Sequence, residues 1–226
     1  LLAVFRLRKK ETMFAGRPII GLAGGMGSGK THVAAMLREM GCFVIDSDAH
    51  VRESYRTPAV LDQLRRWWGP DALMEDGSVN RAAIARRIFA SAEERQRLEG
   101  LIHPLVRQYR DREMARAALD GKVLAFVWDT PLLFEAGLNQ DCDAIWFIEA
   151  DPALRLKRLS ESRGWEEAEL VRREKFQWPL DKKRNLSDHV LKNTAGAEDL
   201  RGQVREALSQ LLAKQLNQAS GSGRVQ

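Results

Sequence analysis

The chain has 226 residues, 44% of them hydrophobic and 30% charged, which suits a soluble globular protein of one domain, or of one domain carrying sizeable insertions. No uncharged apolar run reaches the ~18 residues that a membrane-spanning helix needs. The net charge of +5 comes from arginines spread through amphipathic segments, without a dense basic tail or a nucleic-acid-binding signature, so a site for small anions is favoured over nucleic-acid or membrane partners.

The opening LLAVFRLRKKET runs from apolar to basic, the reverse of a secretory signal, and reads as an upstream extension over residues 1–17 with Met13 just before the first strand. The two cysteines, Cys42 and Cys142, read as reduced thiols of a cytoplasmic protein. PIIGLA (18–23) is a short apolar run ending in glycines, and Val33, Met36, Leu37 and Met40 then recur at helical spacing. The pattern predicts strand, loop and amphipathic helix. Gly41 stops that helix, and CFVID (42–46) reads as a second buried strand.

From about residue 50 to 119 only helical pieces follow, an insertion in which Ser91 and Glu94 form a capping box and Pro104 is expected to break or kink a long helix. VLAFVWD (123–129) and AIWFIEA (144–150) return to buried-strand character. Asp151 and Pro152 open an arginine-rich helical stretch, HVLKN (189–193) suggests a fifth strand, and Leu200, Val204, Leu208, Leu211 and Leu212 line one face of a closing helix. The tail from residue 216 is expected to be disordered. Strands alternating with helices imply a parallel sheet covered on both faces, with ligands at the carboxyl ends of the strands.

GGMGSGKT (24–31) matches G-x-x-x-x-G-K-[ST] between a predicted strand and a predicted helix, the context in which backbone N–H groups and a helix N-terminus cradle phosphates. Lys30 is expected to reach the β- and γ-phosphates of a nucleotide and the Thr31 hydroxyl to bind magnesium. DSD (46–48) follows the second strand; its carboxylates could accept a proton from an attacking hydroxyl, or one of them could simply cap the next helix. Asp129 ends a strand where it would orient the metal, and Glu135 is the chemically active group of TPLLFEAG. Arg158 and Arg163 are the candidates for a lid over the triphosphate, the remaining arginines of 155–173 pairing with glutamates on a solvated face. His32, His50, His103 and His189 lack ligand-like spacing for zinc, and the six tryptophans read as packing rather than a base-stacking platform.

Several elements in order resemble the dephospho-CoA kinase family from about residue 18 to 212: IGLAGGMGSGKT, VIDSDAHVR, LIHPLVR, WDTPLLFEAG and KFQWPLDKKRNLSDHVLKN. The resemblance implies an α/β P-loop NTPase fold of the nucleoside monophosphate kinase type, three-layered, with a five-stranded parallel sheet. Its core would be about 18–49, 120–152 and 186–215, its helical CoA-substrate insertion about 50–119 and its lid about 153–185. It implies transfer of the ATP γ-phosphate to the 3′-hydroxyl of dephospho-CoA with Mg2+. Asp48, Lys30 and Arg158 would be catalytic. Gly25, Gly27, Ser28, Gly29, Lys30, Thr31, His32 and Asn193 would bind ATP; Arg52, His103 and Arg107, with Asp48, would meet dephospho-CoA; Thr31 and Asp129 would serve the metal. The expected protein is a cytoplasmic monomer or small homo-oligomer. Three positions depart from the family pattern: His32 replaces a small hydroxyl residue, Ser162 stands where a second lid arginine is usual, with Arg163 one later, and Lys192 replaces an acid before Asn193. Another small-molecule kinase would share the loop and lid but has no reason to carry LIHPLVR and DTPLLFE together, and a nucleotide-dependent switch or RNA-binding module would explain the charge but not a large helical insertion with a carboxylate after the second strand.

Overall fold

A computed structural model describes residues 13–221, with side chains to residue 217. The chain divides into two compact units: one combines residues up to Ile45 with those from Ala117 onward, the other is Asp46–Arg116.

The first unit is built on a five-stranded sheet of β1 (Ile19–Ala23), β2 (Phe43–Asp46), β3 (Phe126–Asp129), β4 (Ala144–Glu149) and β5 (His189–Lys192). Every residue of β1 is buried, as a near-continuous apolar run requires when both faces of a parallel sheet are covered. The order is β2-β3-β1-β4-β5, with β1 pairing in parallel with both β3 and β4. The chain therefore leaves β1 at the sheet's switch point, the place where open α/β sheets hold their ligands. The register sets Leu22 opposite Asp129, so an acid ends β3 at the level where β1 gives way to its glycine-rich loop.

Helix α1 (Lys30–Glu39) and the closing helix α9 (Ala197–Gly221) pack on one face of the sheet. The predicted stripe is the buried one: Leu200, Val204, Leu208 and Leu211 are in the core, with Leu212 packed against it. Two expectations change. Helix α9 runs through Gly221 rather than yielding to a tail at residue 216; nothing in LNQAS breaks a helix, and propagation costs little once the buried stripe has nucleated it. Residues 222–226 lie outside the described residues. Residues 14–17 also belong to the folded unit. Phe14 stands edge-on to Phe126 at 5.5 Å, and the Arg17 guanidinium donates to the carbonyls of Ala118, Asp120 and Val123.

The second unit contains α2 (Ser47–Ser54), α3 (Pro58–Trp68), α4 (Arg81–Ala90) and α5 (Ala92–Ala117). Its core joins Val60, Leu64, Trp68, Ile84, Leu98 and Ile102. Pro104 does not break α5, which is continuous for 26 residues. One lost backbone bond is outweighed by packing on both sides of it, where Leu98, Leu101, Ile102, Leu105 and Val106 all join the cluster. Half of the expected capping box forms: Ser91 Oγ accepts from the Glu94 N–H at 3.2 Å. The Glu94 carboxylate instead takes the indole N–H of Trp68 at 2.5 Å.

Neither cysteine is in a disulfide and both are buried; burial pushes Cys42 up to about 12. Because only the thiolate is an effective nucleophile, iodoacetamide at pH 8 is expected to modify neither residue in the native protein and both in concentrated urea, read by intact mass. Native labelling at the rate of a free thiol would contradict this burial.

Candidate active site

The loop between β1 and α1 owes its shape to glycine. Gly24, Gly27 and Gly29 have φ values of 143°, 75° and 98°, a region that side-chain-bearing residues rarely occupy. Gly29 caps α1 without a side chain, and its carbonyl takes the N–H groups of His32 and Val33, so the helix N-terminus presents its positive end with no capping side chain in front of it. A Cβ at Gly29 would overlap the Asn193 amide, and one at Gly25 the Arg155 guanidinium. The loop is braced from behind: Asn193, only 6% exposed, donates through Nδ2 to Ser28 O at 2.7 Å. Ser28 Oγ is buried with no hydrogen-bond partner.

Lys30 Nζ donates to the carbonyls of Gly24 at 2.9 Å and Gly25 at 3.0 Å, so the ammonium is held against the loop it serves. Thr31 Oγ1 donates to Asp129 Oδ2 at 3.1 Å. A hydroxyl from the start of α1 and a carboxylate from the end of β3 thus converge, an oxygen pair suited to a magnesium ion that keeps several waters. The His32 side chain is exposed and its N–H is used on Gly29 O at 3.1 Å; the loop keeps its form without a hydroxyl at this position.

The segment between β4 and β5 supplies α6 (Pro152–Arg163), α7 (Glu167–Glu174) and α8 (Leu180–Asn185), α6 being capped by Asp151 as expected. Of the two candidate lid arginines, Arg158 reaches the loop, donating to Gly27 O and Ser28 O at 3.4 Å each and to Asn193 Oδ1 at 3.3 Å. Arg163 instead stacks on Trp165, with Ser162 Oγ turned back to Arg158 O. Arg155, expected on the solvated face, is only 6% exposed. Its guanidinium joins Met26 O at 3.3 Å to the Glu174 carboxylate at 2.5 Å. The available signal is its position one turn before Arg158, on the same helix face.

Leu133 and Phe134 bury themselves behind Asp129, and this fixes Glu135. Its Oε1 accepts the Trp178 N–H at 2.7 Å and the ammonium of Lys183 at 2.7 Å. Beside Gly25 opens a cavity of about 430 Å3 bordered by Phe147, Pro152, Arg155, Leu180 and Arg184. Burial dominates the electrostatics of Lys30 and lowers its pKa to about 8; Asp129 opposes that shift, while Lys183 and Arg155 add to it.

In the helical unit, DSD divides its roles. Asp46 is the cap of α2, its Oδ1 accepting from the Ala49 N–H at 2.9 Å, and its Oδ2 meets Arg52 at 3.4 Å. Asp48 occupies the first turn of α2 and is exposed. His103 and Arg107 are exposed one turn apart on α5, Arg107 lying 3.9 Å from Asp111. His50 gains a partner that the sequence does not suggest: its Nε2 is 2.7 Å from Glu113 Oε2, a pair separated by 63 residues that no local pattern announces.

A parallel sheet of this order, with a G-x-x-x-x-G-K-T loop leaving its central strand and an acid of β3 beside the loop threonine, defines a P-loop kinase of the nucleoside monophosphate kinase type. A family model described as dephospho-CoA kinase matches residues 18–199, and the chain belongs to that family. It is 39% identical over 195 residues to a dephospho-CoA kinase of Anaeromyxobacter dehalogenans, covering 85% of this chain and 92% of the relative. It is 37% identical to one of Geobacillus kaustophilus, covering 84% and 95%. The fold superposes with a TM-score of 0.76 at 32% identity on the crystal structure of TT1252 from Thermus thermophilus, over 88% of this chain and 97% of that one.

The depressed Lys30 gives a pH expectation. Below about pH 8 the ammonium is charged and attracts phosphate; above it the free enzyme progressively loses that charge. Affinity for ADP and magnesium, measured by calorimetry, is expected to fall between pH 7.5 and 9.5, and Lys30→Arg, whose guanidinium does not titrate there, is expected to flatten the profile. Constant wild-type affinity to pH 9.5 would contradict the shift.

Proposed function

We propose that the protein transfers the γ-phosphate of ATP to the ribose 3′-hydroxyl of dephospho-CoA, giving ADP and CoA, the last step of coenzyme A biosynthesis. The observation that carries this reading is the convergence of Lys30, Thr31 and Asp129 at the ends of β1 and β3 in a chain of this family. Phosphoryl transfer asks little covalent chemistry of a protein, so its residues act by positioning and charge neutralisation.

In this reading the N–H groups of Gly25, Gly27, Ser28 and Gly29 and of the first turn of α1 receive the β-phosphate. Lys30 leaves its carbonyl partners for the β- and γ-phosphate oxygens. Thr31 and Asp129 hold magnesium, which would neutralise charge on the phosphate oxygens. Arg158, already beside the loop, meets the charge that grows between the β- and γ-phosphates. Asn193 supports the nucleotide through the loop on its way to the adenine side, and His32 contributes its exposed ring near the phosphates. The 3′-oxygen forms a bond to the γ-phosphorus as the bond to the β-phosphate oxygen breaks, and the hydroxyl proton passes to the Asp48 carboxylate. Arg52, His103 and Arg107 bind dephospho-CoA. The protein works in the cytoplasm without nucleic-acid or membrane partners, as a monomer or small homo-oligomer.

The test is ADP release by purified protein with ATP and magnesium, comparing dephospho-CoA with AMP, shikimate, gluconate and no acceptor. Release with dephospho-CoA well above every other arm is expected. Release no greater than the blank rejects the acceptor, and a preference for another arm assigns a different small-molecule kinase. Asp48→Asn is expected to bind ATP normally and to lose turnover by about 100-fold or more, the range of general-base removal. Near-normal turnover would remove Asp48 from the chemistry.

A further inference from the structure

Lys183 is 2% exposed, yet the phosphoryl transfer described for this site gives it no role. Its Nζ contacts Glu135 Oε1 at 2.7 Å and donates to Gln177 Oε1 at 3.1 Å. Glu135 Oε1 is further held by the Trp178 N–H at 2.7 Å, while Glu135 Oε2 is buried without a hydrogen-bond partner. The Trp178 ring stacks on Phe134, with centroids 5.8 Å apart. Two segments far apart in sequence, the stretch after β3 and the entry to α8, are therefore pinned together by one carboxylate. Burying a lysine and a glutamate is a poor route to stability, because apolar groups of equal volume are often as stabilising or more so. A pair that is costly to bury and incompletely satisfied suggests a use for its charge.

The location indicates the use. Helix α8 borders the phosphate loop: Leu180 is among the nearest neighbours of Gly25, and Leu180 and Arg184 line the same cavity as Gly25 and Arg155. Lys183 lies on that helix, between the cavity-lining Leu180 and Arg184. An ammonium with three donors, two of them directed at Glu135 and Gln177, retains capacity for a phosphate oxygen. We propose that Lys183 is a second fixed cation for the transferring phosphoryl group, and that Glu135, with Gln177, is a positioning residue that holds it in place. The proposal rests on the reading of the protein as an ATP-dependent kinase. It places the Lys183 charge where negative charge is redistributed during transfer, so its effect falls on turnover more than on ground-state binding.

The test compares Lys183→Met, Glu135→Gln and the double variant with wild type. It measures kcat and KM for ATP with dephospho-CoA, the slow ATP hydrolysis without acceptor, and thermal midpoints. Lys183→Met is expected to lower kcat by about 100-fold or more, the scale of losing one preorganised group that stabilises charge, with KM for ATP within about threefold; its thermal midpoint is expected to fall because the Glu135 carboxylate is left buried and unpaired, and the double variant is expected to recover it. Glu135→Gln is expected to lower kcat less. The double variant is expected to match Lys183→Met, because a positioning residue has no effect once its client is gone. The double variant also leaves no unpaired buried charge, so it remains informative if Glu135→Gln unfolds. Turnover of Lys183→Met within threefold of wild type, or losses that simply multiply in the double variant, would overturn the proposal. If wild type failed to use dephospho-CoA, the acceptor would be wrong; the acceptor-free hydrolysis ratios would still decide the roles of Lys183 and Glu135.

Discussion

Holding an ammonium ion under a glycine loop is the constraint on which the rest of this structure depends. Taking the Lys30 charge out of water is unfavourable, and the unit offsets the cost with the carbonyls of Gly24 and Gly25 and the carboxylate of Asp129. That arrangement requires β1 at the centre of the sheet, Asp129 in register with Leu22, and backbone conformations that glycine alone adopts without strain. The loop cannot hold that shape by itself. Asn193 from the end of β5 and Arg158 from α6 both brace its carbonyl side, so two distant segments fix the geometry of one short turn.

The helices between β4 and β5 continue the same principle with opposite signs alternating. Arg155 joins Met26 to Glu174, Lys183 joins Glu135 to Gln177, and Arg184 meets Glu149 at 2.8 Å. Each of these cations is held by a carboxylate. Preorganised charges of this kind need little rearrangement when the phosphoryl group moves, which is the economy that phosphoryl-transfer enzymes depend on.

How much of this is legible in the sequence depends on how local each signal is. The glycine loop, Lys30 and Thr31 form one uninterrupted motif, and buried strands announce themselves as apolar runs, so the site's floor and the sheet are readable directly. The stripe from Leu200 to Leu212 is equally plain because helical spacing is a local property. The roles of Arg155 and of the His50–Glu113 pair are not readable, since the partners lie 19 and 63 residues away and only the tertiary fold brings them together. Pro104 does not end α5 for a related reason: its local penalty is real, but the cluster around Leu98, Ile102 and Leu105 outweighs it. The extent of α9 exceeds expectation because polar composition alone does not make disorder, and LNQAS contains no helix breaker.

The central claim is that phosphate leaves ATP for one particular hydroxyl. It is tested most directly by phosphorus NMR of the complete reaction, which distinguishes a new ribose 3′-phosphomonoester from inorganic phosphate. The account expects a 3′-phosphomonoester accumulating one for one with ADP when protein, ATP, magnesium and dephospho-CoA are combined. ADP accompanied only by inorganic phosphate, or a monoester at another position, would contradict it.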